Sequence, residues 1–204
     1  MIYLHKGDLP ADVTFKGDLA IDTETKGLEI FLRDRLCLVQ ISDGGGNAHL
    51  VQFPGGEQRA PRLKALLEDN TRVKIFHYAR FDVAALKLYL GIEVRNIYCT
   101  KLASRLTRTY TDRHGLKDLC KDLIDVDISK QQQCSNWSAA ELTKEQQDYA
   151  ASDVLYLHRL RAELDKLLAA DGRRELAQSC FDFIPARVEL DGLGWGAVDI
   201  FAHN

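Results

Sequence analysis

Two hundred and four residues, 46 % apolar and 28 % charged, describe a globular chain long enough to bury a substantial core, and one domain over residues 1–204 is expected. Four prolines and fourteen glycines exclude a collagenous or linker-rich protein. Five cysteines without a C-x-x-C pair (Cys37, Cys99, Cys120, Cys134, Cys180) argue against a disulfide or zinc framework and suit reduced thiols. No apolar run approaches the roughly 18 residues of a membrane helix, and the start, MIYLHKGDLPAD, lacks a secretory h-region, so a cytoplasmic protein with no membrane partner is expected. Twenty-seven basic against thirty acidic residues give a net charge of −3, which excludes coating nucleic acid through bulk charge; any phosphate must be met locally.

The first half alternates strand-like and helix-like segments. Residues 19–23 (LAIDT), 36–42 (LCLVQIS) and 48–53 (AHLVQF) read as strands, the last two joined by a glycine-rich hairpin turn over residues 43–47, since no helix follows that could make it a phosphate cradle. Pro61 opens a helix, 73–76 (VKIF) is a short strand, and 79–90 is a helix with Phe81, Ala84, Ala85 and Leu88 on one face, closed by Gly91. After a strand at 94–98 come helices over 99–107 and 115–123. A long helix over 143–169 follows, capped by Thr143 with Gln146. Together these give an α/β fold with a mixed central sheet of about five strands flanked by helices. The segment 172–204 is too short for a domain; its Phe181, Phe183, Ile184, Leu190, Leu193, Trp195, Ile200 and Phe201 must pack on the core or on a neighbouring subunit.

Three acidic segments carry the chemistry. Asp22 and Glu24, two apart where the apolar strand Leu19-Ala20-Ile21 ends, project from one face, and two like charges held together call for a cation. Asp82 lies one turn into the helix after VKIF, where the helix dipole also favours an acid. Tyr149 and Asp153 share a helix face that is otherwise apolar, which turns the aspartate inward. Four carboxylates and a tyrosine are what a two-metal phosphodiester hydrolase requires, with hard oxygen ligands suited to two divalent cations, Mg²⁺ or Mn²⁺.

At these residues, DTE, HYARFD and YAASD, the chain resembles the DEDD superfamily of 3′-to-5′ exonucleases, whose fold is ribonuclease H-like. Tyr149 stands four residues before Asp153, as in the tyrosine subclass that includes ribonuclease D. The histidine subclass needs His five residues upstream, where this chain has Asp148. The stretches CTKLASRLTRTYTDRHGLK, ISKQQQCSNW and ELDGLGWGAVDIFAHN extend the likeness over nearly the whole chain, toward the short nanoRNase C relatives of ribonuclease D. That resemblance implies a diribonucleotidase acting on short RNA, with DNA as the alternative substrate, and a homo-oligomer, with an octamer as the implied size. Ribonuclease D itself continues into helical nucleic-acid-binding domains, and here the chain stops. The resemblance assigns metal binding to Asp22, Glu24, Asp82 and Asp153, with Tyr149 in the catalytic centre. Leu28 matches an apolar wedge between substrate bases, or is a core leucine. His77 stands where many members carry Asn, and either touches the terminal sugar or packs structurally. Thr23, within DTE, is a further substrate contact. A 5′ phosphate could be met by Lys130 and Gln131 to Gln133, Gln133 among them, or by Arg105, Arg108 or Arg113 from the basic run that also holds Lys101 and Lys117.

Other readings are weaker. Phosphatases that form an aspartyl-phosphate need Asp two residues after the nucleophile, where this chain has Glu24. A catalytically silent binding module would show loss of an acid, and all four are present. A general exonuclease on longer RNA or duplex DNA uses the same chemistry and stays open as the alternative.

Overall fold

The computed structural model describes residues 1–55, 59–129 and 131–203. Among these, six strands form one mixed sheet: β1 (Ile2–Lys6), β2 (Leu19–Thr25), β3 (Leu36–Ser42), β4 (Ala48–Gln52), β5 (Lys74–Phe76) and β6 (Ile97–Cys99), in the order β1-β4-β3-β2-β5-β6. β2, β3 and β4 form an antiparallel meander; β1 joins β4, β5 joins β2 and β6 joins β5 in parallel. The α/β, ribonuclease H-like architecture holds, with one strand beyond the expected five. The extra strand is β1, whose IYLHK sequence is half-buried at the sheet edge and carries no strong alternation. The glycine-rich segment is the β3–β4 hairpin, with Gly44 and Gly46 at φ 81° and 82°.

Cross-strand partners share a face, so the register sorts the centre of the sheet. Asp22, Gln40 and Leu50 lie in one row, with Glu24 and Leu38 on the same face; Thr23, Val39 and Val51 lie on the other. β3 is buried along its whole length, which fits a central strand covered on both sides.

The helices are α1 (Pro61–Glu68), α2 (Ala79–Leu90), α3 (Thr100–Thr107), α4 (Leu116–Ile124), α5 (Lys144–Leu155), α6 (Leu157–Ala170), α7 (Arg174–Asp182) and α8 (Ile184–Leu190), followed by a π-type turn, Asp191–Trp195, kinked at Gly194. α5 lies over the face of Leu38 and Leu50, where Ala150 and the loop residues Trp137 and Leu142 complete a small separate core. The single helix expected over 143–169 is two, divided at Tyr156. No glycine or proline marks the break; α5 packs on β2 to β4, whereas α6 packs on α3 and α4, and the change of partner bends the chain. The buried face of α2 also differs from expectation. Ala84 and Ala85 are buried as expected, but Leu88 is about half exposed, and the buried residues also include Ala79, Asp82, Val83 and Leu86, a set that carries an aspartate toward the core.

α7 and α8 add the carboxy-terminal segment to this body. Phe181 packs on Tyr98, with ring centroids 4.7 Å apart, and Ile184 and Val188 are buried where α8 meets α2. Arg80, in the first turn of α2, grips Asp191 with both Nε (2.5 Å) and Nη2 (2.6 Å), and Arg187 reaches the same carboxylate at 3.0 Å. Beyond that clamp Leu193, Trp195, Ile200 and Phe201 are exposed.

Candidate active site

Leu19, Ala20 and Ile21 are fully buried and fix β2 in the centre of the sheet, so Asp22 and Glu24 emerge from a rigid support. α5 brings Asp153 to the same face. Its start is held by a reciprocal capping box: the Gln146 backbone N–H donates to Thr143 Oγ1 (3.2 Å), and Gln146 Oε1 accepts from the Thr143 N–H (3.0 Å). One carboxylate oxygen from each of Asp22, Glu24 and Asp153 lies within 4.8 Å of the other two. Asp82 reaches the same cavity from α2, on the other side of β2, where its Oδ1 accepts a hydrogen bond from Thr23 Oγ1 at 2.7 Å. Three of the four acids thus gather as a trio, with Asp82 beside them and tied to the strand residue between Asp22 and Glu24.

The electrostatics follow from the crowding. Burial raises the Asp22 carboxyl to about 7, opposed by the backbone N–H of Thr23. Burial lifts Glu24 well above its ordinary range, and the charges of Asp22, Asp153 and Asp82 push it further. Burial and then the charge of Asp22 raise Asp82 likewise. Tyr149 is half-buried, its hydroxyl moved upward first by burial and then by Asp153, Glu24 and Asp22, so it stays protonated at neutral pH. An all-carboxylate donor set with mutually raised acids fits a hard divalent cation, which would relieve the repulsion.

The acids open into a cavity of about 340 Å³ whose wall includes Leu28, His77, Lys101, Lys117, Gln133 and Tyr149. Leu28 is 80 % exposed and therefore not a core leucine. It is held there by a tied loop: a Cβ at Gly27 would sit 2.3 Å from Asp34 Oδ2 and push that carboxylate aside, and Asp34 Oδ2 accepts the Glu29 N–H at 2.9 Å. His77 lines the cavity with Nδ1 2.9 Å from Thr100 Oγ1. The structural alternative thus has a partner in Thr100, and the cavity wall is where a contact to a substrate sugar would be made.

The basic run is redistributed. Arg108 is 2 % exposed; it hydrogen-bonds Asp122 and donates to the Arg113 carbonyl at 2.9 Å, so it joins α3 to α4 and is not available to a phosphate. Arg113 pairs with Asp118 at 2.9 Å and is not among the residues that line the acidic cavity, and Arg105 lines a neighbouring pocket with Tyr78 and Phe183. Lys130 lies outside the described residues. Gln133, one of the residues considered for a 5′ phosphate, does reach the cavity, as do Lys101 and Lys117, noted in the sequence only as members of the basic run, and Tyr78, which was not singled out. Tyr78 adopts a left-handed backbone (φ 73°) at the start of α2, and Lys101 Nζ lies 4.5 Å from its ring centroid. The place of Tyr78 inside the HYARFD motif was the signal available.

The chain is similar to known nucleases over most or all of its length. A ribonuclease D from Gluconacetobacter diazotrophicus is 31 % identical over 166 residues, 79 % of this chain and 40 % of that protein. The chain thus spans about two fifths of that relative's length. The structure of Brucella melitensis NrnC with bound Mg²⁺ is 52 % identical and superposes with a TM-score of 0.94 over 100 % of this chain and 99 % of the other. Brucella melitensis NrnC bound to pGG matches equally well, at 53 % identity, TM-score 0.94, and 100 % and 98 % coverage. A 3′-5′ exonuclease profile matches residues 8–169, which hold all four acids and Tyr149, and the chain belongs to that family of 3′-5′ exonucleases.

Proposed function

We propose that the chain is a 3′-to-5′ exoribonuclease that uses two divalent ions, Mg²⁺ or Mn²⁺, and prefers 5′-phosphorylated diribonucleotides, which it hydrolyses to mononucleotides. The observation that carries this reading is the acid trio, within 4.8 Å, opening into a cavity rimmed by an exposed leucine and two lysines. The structure of an NrnC bound to pGG, 53 % identical over the full chain, supports the short substrate. Asp22, Glu24, Asp153 and Asp82 would hold the ions, which when bound offset the acids' charge and stabilise the negative charge developing on the phosphoryl oxygens. Tyr149, still protonated, orients the attacking water through its hydroxyl. Water adds to the terminal phosphorus, the bond from phosphorus to the 3′ oxygen breaks, and that oxygen takes a proton, leaving a 5′-mononucleotide and a shortened chain. Leu28 would pack between the two bases, while Lys101, Lys117 and Gln133, which line the same cavity, would meet the 5′ phosphate.

We place the chain in the cytoplasm as a homo-oligomer, an octamer by resemblance. Five free thiols suit a reducing compartment, and the exposed Leu193, Trp195, Ile200 and Phe201 form an apolar surface of the kind that marks subunit contacts. Among the described residues no helix is long and apolar enough to cross a membrane. The test is incubation of 5′-labelled RNAs, from two nucleotides upward, and of duplex DNA with the protein plus Mg²⁺, Mn²⁺ or EDTA. Loss of single nucleotides from the 3′ end of RNA, abolished by EDTA, is the expected result; faster loss of duplex DNA would favour a general exonuclease.

A further inference from the structure

Gln40 is fully buried in β3, between Leu50 and Asp22 in the row that crosses the sheet. Its Nε2 donates to Asp22 Oδ2 at 3.2 Å, and its Oε1 is buried without a partner. An amide half satisfied inside an apolar strand is unfavourable, and a methionine or leucine would fill the same space without stranding an oxygen. Stability alone therefore does not account for the residue. The donated hydrogen bond does: a carboxylate rotates freely about its last bond, and a fixed donor on one oxygen sets the plane in which the other points. The geometry points to Gln40 as a positioning residue that holds the Asp22 carboxylate in the orientation needed for a divalent cation. This rests on the metal-centre reading above and adds a residue to it that touches neither substrate nor ion. Partners of this kind behind metal ligands typically change metal affinity by about 10- to 100-fold when removed.

The experiment uses the full chain freed of metal and titrated with Mn²⁺ by calorimetry, with the melting temperature read in parallel. Gln40→Met keeps the length and loses the amide; Gln40→Leu loses it with a branched apolar side chain. Both should bind Mn²⁺ about 10- to 100-fold more weakly. The metal-free Gln40→Met protein should melt no lower than the unsubstituted one, which a purely structural role would not allow. Mn²⁺ affinity within twofold of the unsubstituted chain in either folded variant would overturn the proposal, as would a lowered melting temperature with affinity retained. If the unsubstituted chain binds no Mn²⁺, or Asp22→Asn leaves binding intact, the metal centre itself falls, a result distinct from failure of Gln40 alone.

Discussion

At the scale of single residues, the site depends on charges that the fold forces together. Tyr149 should contribute by orienting water, because burial and three neighbouring acids keep its hydroxyl protonated. Tyr149→Phe should lower kcat by about 10²-fold with the melting temperature unchanged; steady-state kinetics on a dinucleotide check this. The acids were legible in the sequence because period-two alternation fixes the shared face of Asp22 and Glu24, and the four-residue helical spacing fixes Tyr149 with Asp153. Gln40 and Arg108 were not. A glutamine in LCLVQIS gives no sign that its cross-strand neighbour is Asp22, and an arginine in a basic run looks solvated until the packing of α3 on α4 buries it.

At the scale of elements, Arg108 tests the difference between a basic run that binds phosphate and one that packs helices. Its side chain is 3 % exposed and its partner Asp122 32 % exposed, so removing the arginine leaves a carboxylate that still reaches water. Arg108→Ala should destabilise the chain by about 3 kcal/mol, the lower end for a broken buried pair, with turnover per folded molecule unchanged. Denaturant unfolding and an activity assay on the folded fraction measure the two. The amino-terminal cap of α5 gives a smaller effect: Thr143→Ala, which removes half of the capping box, should cost about 1 kcal/mol in the same unfolding measurement. The cap and the closing Gly91 of α2, at φ 61°, were legible because they are local chemistry. The division at Tyr156 and the inward turn of Asp82 on α2 were not, because tertiary partners decide both.

At the scale of the whole molecule, the acid cluster couples stability to pH and metal. Asp22 is raised to about 7, and Glu24 and Asp82 are raised well above their ordinary values. Carboxyls with raised folded-state values bind more protons folded than unfolded. Their contribution is therefore complete at acidic pH and is lost as pH rises through the folded-state values. The metal-free protein should accordingly melt lower at pH 8 than at pH 5.5, and Mg²⁺ or Mn²⁺ should remove most of that loss at pH 8 while doing little at pH 5.5. Thermal melts at the two pH values, with and without metal, decide it. A loss at pH 8 that added metal leaves untouched would detach the acids from cation binding.

The central claim, that this acidic cleft serves very short RNA, is tested most directly by competition. A 5′-phosphorylated dinucleotide and a twenty-nucleotide RNA, distinguishably labelled at their 5′ ends, are mixed at equal concentration with the protein and Mg²⁺, and initial rates are read from one reaction. The base wedge proposed at Leu28 and the contacts proposed between the cavity's lysines and a 5′ phosphate predict that the dinucleotide disappears faster by at least about tenfold, the scale of one good contact. Leu28→Ala should narrow that ratio. Equal rates for the two RNAs would contradict the account and make the chain a general exonuclease with the same catalytic centre.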